Sequence, residues 1–209
     1  MWFAFRGVFD AKSLVRGLEI KQPSGKVQGQ MNSLIRHSPE EDGGDEDGKE
    51  YEAHIEWRAP VMHTFFEPVP GGCCGASEEG HQRLLNAWES SWRESGWETR
   101  ILIMDDAKKH KDFEKLEEMM NRFHVDEYNR RCFYRWLAMA EIGGWMSDYD
   151  TFPLDLNAEV GSKFINGDGE FMSLSSVVPA LIHANKEEWE RIMYVMMELL
   201  ESRQDDEEG

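Results

Sequence analysis

The fold is decided by one stretch, residues 131–154, which reads RCFYRWLAMAEIGGWMSDYDTFPL. Its first half has apolar positions that recur with the period of a helix: Phe133, Trp136, Leu137 and Ala140. Gly143 is expected to end this helix, because a glycine can take the left-handed conformation that caps a helix. Gly144 then lets the following strand pass close to its neighbours. The stretch therefore predicts a helix, a glycine break and a short strand.

Two carboxylates follow the predicted strand, Trp145–Ser147. Asp148 and Asp150 are two residues apart and are expected to point the same way from its carboxyl end. In open α/β sheets, ligands bind beyond the carboxyl ends of the strands. Two hard oxygen donors suit a Mg or Mn ion whose other ligands are water and substrate phosphates. Asp148 and Asp150 are therefore the predicted metal ligands, and the alternative is that Asp-x-Asp is a solvated turn.

The same stretch resembles the sugar-binding region of Asp-x-Asp glycosyltransferases with the GT-A fold, in particular family 32 and the α-1,4-glycosyltransferases. The resemblance rests on Arg135, Gly143-Gly144, Asp148-Tyr149-Asp150 and Pro153-Leu154. The sequence departs from the family at Cys132, where the family often has an aspartate that contacts the hydroxyls of the donor sugar.

The resemblance continues upstream and covers about half the chain. Pro60–His63 resembles the first strand of the family, and Ser91–Asp106 resembles its second strand and helix unit. The implied fold is an α/β domain of the GT-A kind over residues 51–202, with a mainly parallel sheet flanked by helices. The implied activity is metal-dependent transfer of a sugar, with retention, from a nucleotide-diphosphate-sugar donor to a hydroxyl of a glycan or another acceptor, using Mn or Mg.

Four residues are expected to bind the donor by this resemblance: His63, Arg135, Asp148 and Asp150. Arg135 lies on a helix that is apolar nearly all round, so a charge there must be paired. It either forms a salt bridge with an internal carboxylate or orients an active-site aspartate or the donor sugar. His63 is expected near the end of the first strand, either beside the nucleotide or as an ordinary core or surface histidine.

Composition limits the partners. The formal net charge of −18 argues against nucleic acid and anionic membranes, which would repel the chain. Acidic runs suggest an irregular N-terminal segment, residues 1–50, and an acidic tail, residues 203–209. Three cysteines, including Cys73-Cys74, make no recognisable disulfide or zinc pattern.

No apolar run is long enough to predict a membrane span, and Met1–Phe5 resembles neither a signal peptide nor an anchor. Relatives of this kind generally work in the secretory pathway, at the Golgi, behind a membrane anchor. The expectation is therefore either a chain that is soluble inside the cell, in the cytoplasm, or a sequence whose true start is missing.

Periodicity predicts further elements around this stretch. Helices are expected over Glu78–Glu94, Lys108–Arg122 and Lys186–Ser202, and a buried strand over Arg100–Met104. Two rivals to an active transferase remain. Because the segment after Pro153 is short, the chain could be a truncated or non-catalytic relative that only binds nucleotide sugar. It could also be an acidic interaction protein in which Asp-Tyr-Asp is only a turn.

Overall fold

A computed structural model of the 209-residue chain describes residues 58–69, 77–163, 169–174 and 180–202. The predicted N-terminal segment, the acidic tail and the Cys73-Cys74 pair lie outside these described residues. Within the described ranges, no helix is both long and apolar enough to cross a bilayer.

Five strands and six helices are defined in the described residues. The strands are β1 (Val61–Phe65), β2 (Glu98–Leu102), β3 (Gly144–Ser147), β4 (Met172–Ser173) and β5 (Leu181–Ala184). The helices are α1 (Glu78–Glu94), α2 (Met104–Ala107), α3 (Phe113–Arg122), α4 (Glu127–Ile142), α5 (Ala158–Lys163) and α6 (Lys186–Ser202).

The strands form one sheet in the order β2-β1-β3-β5-β4. β1 pairs in parallel with β2 on one side and with β3 on the other. β5 pairs antiparallel with both β3 and β4. The connection between β4 and β5, residues 174–180, is too short for the crossover that parallel strands need. The predicted α/β class is therefore confirmed, but the sheet is mixed.

Each face of the sheet contributes buried apolar side chains to a separate core cluster. On one face, Met62 and Trp145 pack against Trp88 and Trp92 of α1, and all four side chains are almost fully buried. On the other face, residues of β2, β3 and β5 join a core formed with α3, α4 and α6. The sheet is thus the middle of three layers, and its carboxyl edge is the place where a site can open.

The glycine break between α4 and β3 is confirmed. Gly143 follows the last residue of α4 with φ of 74°, and Gly144 has φ of 90°. Both values lie in the left-handed region, which is strained for other residues. A Cβ on Gly143 would also lie 2.9 Å from the backbone nitrogen of Lys186, at the start of α6. The two glycines therefore bring β3 directly back along the helix that precedes it.

The predicted bounds of α1 and α6 are confirmed, but two other elements differ. The strand predicted over Arg100–Met104 is β2, which begins at Glu98 and ends at Leu102. It ends earlier than predicted because α2 begins at Met104, where the Asp106 carboxylate caps the helix by accepting a hydrogen bond from the Ile103 backbone N–H at 3.1 Å. The helix predicted to begin at Lys108 begins at Phe113. Residues 108–112 form turns instead, and the backbone N–H of Phe113 donates to the carbonyl of buried His110.

Candidate functional site

The candidate site lies at the carboxyl ends of the parallel strands β1, β2 and β3. These ends share one edge of the sheet because the three strands run the same way. Asp148 follows the last residue of β3 directly, and its backbone N–H donates to the Ala180 carbonyl at 2.9 Å. This bond fixes the point at which the chain leaves the sheet.

Residues 148–151 form a tight turn, called here the carboxylate turn. The backbone N–H of Thr151 donates to the carbonyl of Asp148 at 2.9 Å, so Tyr149 and Asp150 are its two central residues. Because β3 ends at Ser147, strand alternation does not set the directions of Asp148 and Asp150, and their common direction stays a prediction. Whether the two carboxylates share a ligand depends on the geometry of the turn.

Arg135 of α4 is paired with the carboxylate turn. Its Nη1 donates to Oδ1 of Asp148 at 2.7 Å, and the two side chains are 13% and 32% exposed. The internal carboxylate expected for Arg135 is therefore Asp148 itself. The two interpretations of this arginine converge: it balances its own charge and at the same time orients the carboxylate that was predicted to bind metal.

Burial dominates the electrostatics of Asp148. It raises the pKa of this carboxyl above its ordinary value, the nearby Arg135 guanidinium opposes the shift, and the Asp150 carboxylate adds to it. Asp150 itself is exposed. The turn therefore offers one half-buried and one exposed carboxylate at a sheet edge. This hard oxygen donor set fits Mg or Mn if water and phosphate complete the coordination.

His63 lies elsewhere. It is the central residue of β1, not near its end as expected, and it is buried with its Nδ1 2.8 Å from the Trp145 carbonyl. In the sheet register His63 pairs with Met146, so it lies beside β3 within the sheet, two positions before Asp148, and not beyond the carboxyl ends of the strands. Burial lowers the pKa of His63, although the bond to Trp145 opposes this shift. These contacts favour the core interpretation, and a donor contact for His63 stays a prediction.

Cys132 precedes Arg135 by one helical turn on α4. Its side chain is partly buried and forms no disulfide within the described residues. Burial raises the pKa of the thiol, and the positive charge of Arg135 opposes this shift. Arg131 lies on the same side and donates from Nη2 to the carbonyl of Pro68, just after β1, at 3.1 Å. Helix α4 thereby ties the ends of β1 and β3 together.

Sequence reasoning missed a group of three rings beside the carboxylate turn, called here the ring cluster: Phe66, His81 and Tyr149. The rings of Phe66 and Tyr149 meet edge to face with centroids 5.4 Å apart. The Tyr149 hydroxyl and Nδ1 of His81 are 3.1 Å apart and share a hydrogen bond. Only the position of Tyr149 between two aspartates could have pointed to it, since the three residues are remote in sequence.

The family model described as Domain of unknown function (DUF8765) matches residues 55–207 of the chain. The chain belongs to this family. No curated protein and no solved structure matches it. The DUF8765 match includes every described strand and helix, and therefore the carboxylate turn and the ring cluster.

A second group of potential metal ligands in the DUF8765 domain is the His110 cluster, which comprises His110, Asp112 and Glu190. One ligand atom from each residue lies within 4.8 Å of the others. His110 falls inside the helix expected from Lys108, but it lies in the turns before α3 and its side chain is buried. The cluster joins the start of α3 to α6.

The polar atoms of the His110 cluster already have partners within the protein. Nδ1 of His110 accepts the backbone N–H of Asp112 at 3.1 Å, so the ring proton is on Nε2, which faces Oε1 of Glu190 at 3.7 Å. Lys111 Nζ lies 2.8 Å from the same oxygen, and the Tyr194 hydroxyl donates to Asp112 at 2.6 Å. A metal would have to displace a proton and a cation, so the geometry favours a structural cluster.

Proposed function

We propose that this chain is a glycosyltransferase with a GT-A-like fold, which moves a sugar from a nucleotide-diphosphate donor to an acceptor hydroxyl. The observation that carries the proposal is the carboxylate turn: Asp148 and Asp150 follow β3, the central strand of the sheet, and Asp148 is held by Arg135. The resemblance of residues 131–154 to Asp-x-Asp transferases supports the same assignment.

Each residue has a role in this proposal. Asp148 and Asp150 would hold a Mn or Mg ion, which supplies charge neutralisation at the diphosphate leaving group. Arg135 fixes Asp148 from the helix side through a bond from Nη1 to Oδ1. Among the described residues, the contact between the two side chains is this single bond and not a bidentate pair, and we assign the second carboxylate oxygen to the ligand.

Calorimetric titration of UDP and then GDP into the protein, with and without Mn, tests the proposal. Metal-dependent binding of one nucleotide is expected, and Asp148→Ala and Asp150→Ala should each abolish it. Asp105→Ala is the matched control, because Asp105 follows β2 near the same edge and its side chain is 75% exposed. If folded wild-type protein binds neither nucleotide, the proposal is wrong and an acidic interaction protein is the better assignment.

A turnover assay follows from the binding result. Sugar transfer or slow donor hydrolysis that needs both Mn and Asp148 would establish a transferase. Binding without any turnover of UDP- or GDP-sugars would instead identify a relative that only binds nucleotide sugar.

A further inference from the structure

The ring cluster joins three separate parts of the fold at the carboxylate turn. Phe66 follows the end of β1, His81 lies in the first turns of α1, and Tyr149 is a central residue of the turn. The His81 ring contacts both others, with centroids 5.7 Å from Phe66 and 6.0 Å from Tyr149. Tyr149 is thus held by a ring contact from the residue that follows β1 and by a hydrogen bond from helix α1.

The helix that carries His81 is itself well anchored. Ser77 caps α1 by accepting the backbone N–H of Gly80 at 3.1 Å, and Trp88 of the same helix donates to Ser147 Oγ at 2.8 Å. Ser147 is the residue before the turn. Helix α1 therefore contacts the chain on both sides of Asp148, through Trp88 to Ser147 at the end of β3 and through His81 to Tyr149 in the turn.

Tyr149 stands between the two carboxylates in the chain, so its backbone angles set how far apart they lie. Without a cation, two neighbouring carboxylates repel each other, and an exposed turn can separate them at little cost. A side chain fixed by a hydrogen bond and a ring contact opposes that separation. Holding ligands in place before binding is a general way to gain affinity.

We propose that the hydrogen bond between His81 and Tyr149 is a positioning contact, which holds Asp148 and Asp150 in the arrangement that binds one divalent cation with a nucleoside diphosphate. The inference rests on the proposed function and adds two positioning residues to its site. His81 and Tyr149 act through the turn and touch neither the cation nor the donor.

Three variants test this inference by measuring the dissociation constant for UDP or GDP with Mn. Tyr149→Phe keeps the ring but removes the hydroxyl, and His81→Leu removes its partner. Each should weaken binding about fivefold, because the turn then lacks one hydrogen bond that holds it in the binding conformation. His81→Asn should restore affinity to within about twofold of wild type, because its amide can donate or accept near the position of Nδ1.

Two further measurements separate positioning from a general structural role. The double variant Tyr149→Phe/His81→Leu should be no weaker than either single variant, because both remove the same contact. Gln82→Leu, next to His81 on the exposed side of α1, should leave affinity unchanged. Thermal unfolding midpoints should stay close to that of wild type for all variants.

The outcomes distinguish this inference from the proposed function. If wild-type protein binds metal and nucleotide through Asp148 while Tyr149→Phe and His81→Leu bind equally well, the positioning role is wrong and the function stands. If both variants lose affinity only together with thermal stability, and His81→Asn restores neither, the contact is structural. If wild-type protein shows no metal-dependent nucleotide binding, the proposed function and this inference both fail.

Discussion

The carboxylate turn and the His110 cluster each contain carboxylates close to a cationic or imidazole group, but the two differ in how many donors surround those carboxylates. In the His110 cluster, Glu190 Oε1 is surrounded by Lys111 Nζ at 2.8 Å and the Tyr194 hydroxyl at 3.2 Å. In the carboxylate turn, the described ion pair places Arg135 on one oxygen of Asp148, and Asp150 is exposed.

This difference shows that carboxylates close together do not by themselves make a metal site. The protons and charges already around them decide whether a cation is needed. The His110 cluster has its cation within the chain and a histidine nitrogen occupied by a backbone N–H. In the carboxylate turn, the ion pair of the described residues involves Oδ1 of Asp148, and the Asp150 side chain is exposed at the carboxyl ends of the strands.

The largest effect is expected from removing Arg135. The Arg135→Met variant leaves the half-buried Asp148 carboxylate without its partner, so the free energy of unfolding should fall by roughly 2–4 kcal/mol. Chemical denaturation at neutral pH measures this change. Asp148→Asn added to Arg135→Met should recover part of the loss, since the uncompensated charge is then gone.

Arg93→Met is the control for that experiment. Arg93 pairs with Glu89 at 2.7 Å on the exposed side of α1, and the side chains are 60% and 34% exposed. A surface pair of this kind contributes about 0–1 kcal/mol. If Arg135→Met costs no more than Arg93→Met, Asp148 does not depend on Arg135 for its place.

The next effect distinguishes the two clusters by metal response. With Mn and the bound nucleotide at about a hundredfold excess over the dissociation constant, wild-type protein should gain about 2.7 kcal/mol of unfolding free energy. Asp150→Ala should lose this gain, and Glu190→Gln should keep it. A gain that disappears in Glu190→Gln but persists in Asp150→Ala would move the metal site to the His110 cluster.

A smaller effect is expected from the same substitution made in each region. Tyr194→Phe removes the hydroxyl that donates to Asp112 and Glu190, so unfolding free energy should fall by about 1–2 kcal/mol. Tyr149→Phe should instead lower affinity for metal and nucleotide with little change in stability. Denaturant unfolding of both variants makes the comparison, and equal losses of stability would contradict it.

The local features of the site could be predicted from the sequence because they depend on neighbouring residues. Helical periodicity and end signals gave the bounds of α1 and α6, and two glycines marked the end of α4. The need to pair a buried guanidinium predicted a carboxylate for Arg135, and Asp148 is that carboxylate. Each of these inferences needs only residues that are close in the chain or a simple charge balance.

The rest depends on contacts that no short window contains. The turn at Asp148 follows from a bond to Ala180, and the antiparallel pairing of β4 and β5 involves strands of two and four residues. The His81–Tyr149 bond and the Tyr194–Asp112 bond likewise join residues on different elements. Periodicity has no signal for such short strands or such distant pairs, so the sequence offered the turn only as an alternative interpretation of Asp-x-Asp and did not predict the ring cluster.

The smallest effect concerns three buried histidines of the described residues: His63 in β1, His183 in β5 and His110 in the His110 cluster. Burial lowers the pKa of both His63 and His110. A histidine whose pKa is lowered by folding binds protons more readily in the unfolded chain. Its contribution to the free energy of unfolding is therefore complete above the pKa of the unfolded chain, about 6.5, and is lost as pH falls from there through the lower pKa of the folded protein.

Replacing His63 by Asn tests how much of this acid sensitivity comes from the sheet. His63 packs near Arg100, which lowers its pKa further, and near Asp106, which raises it. An asparagine can still donate to the Trp145 carbonyl but does not titrate, so the loss of unfolding free energy between pH 7.5 and pH 5.5 should be smaller in His63→Asn. His124→Asn is the control, because His124 is exposed and its φ of 51° suits asparagine. If His63→Asn loses as much stability on acidification as wild type, the acid response belongs to the other buried histidines, which are His183 in β5 and His110, where protonation would break the bond from the Asp112 backbone N–H.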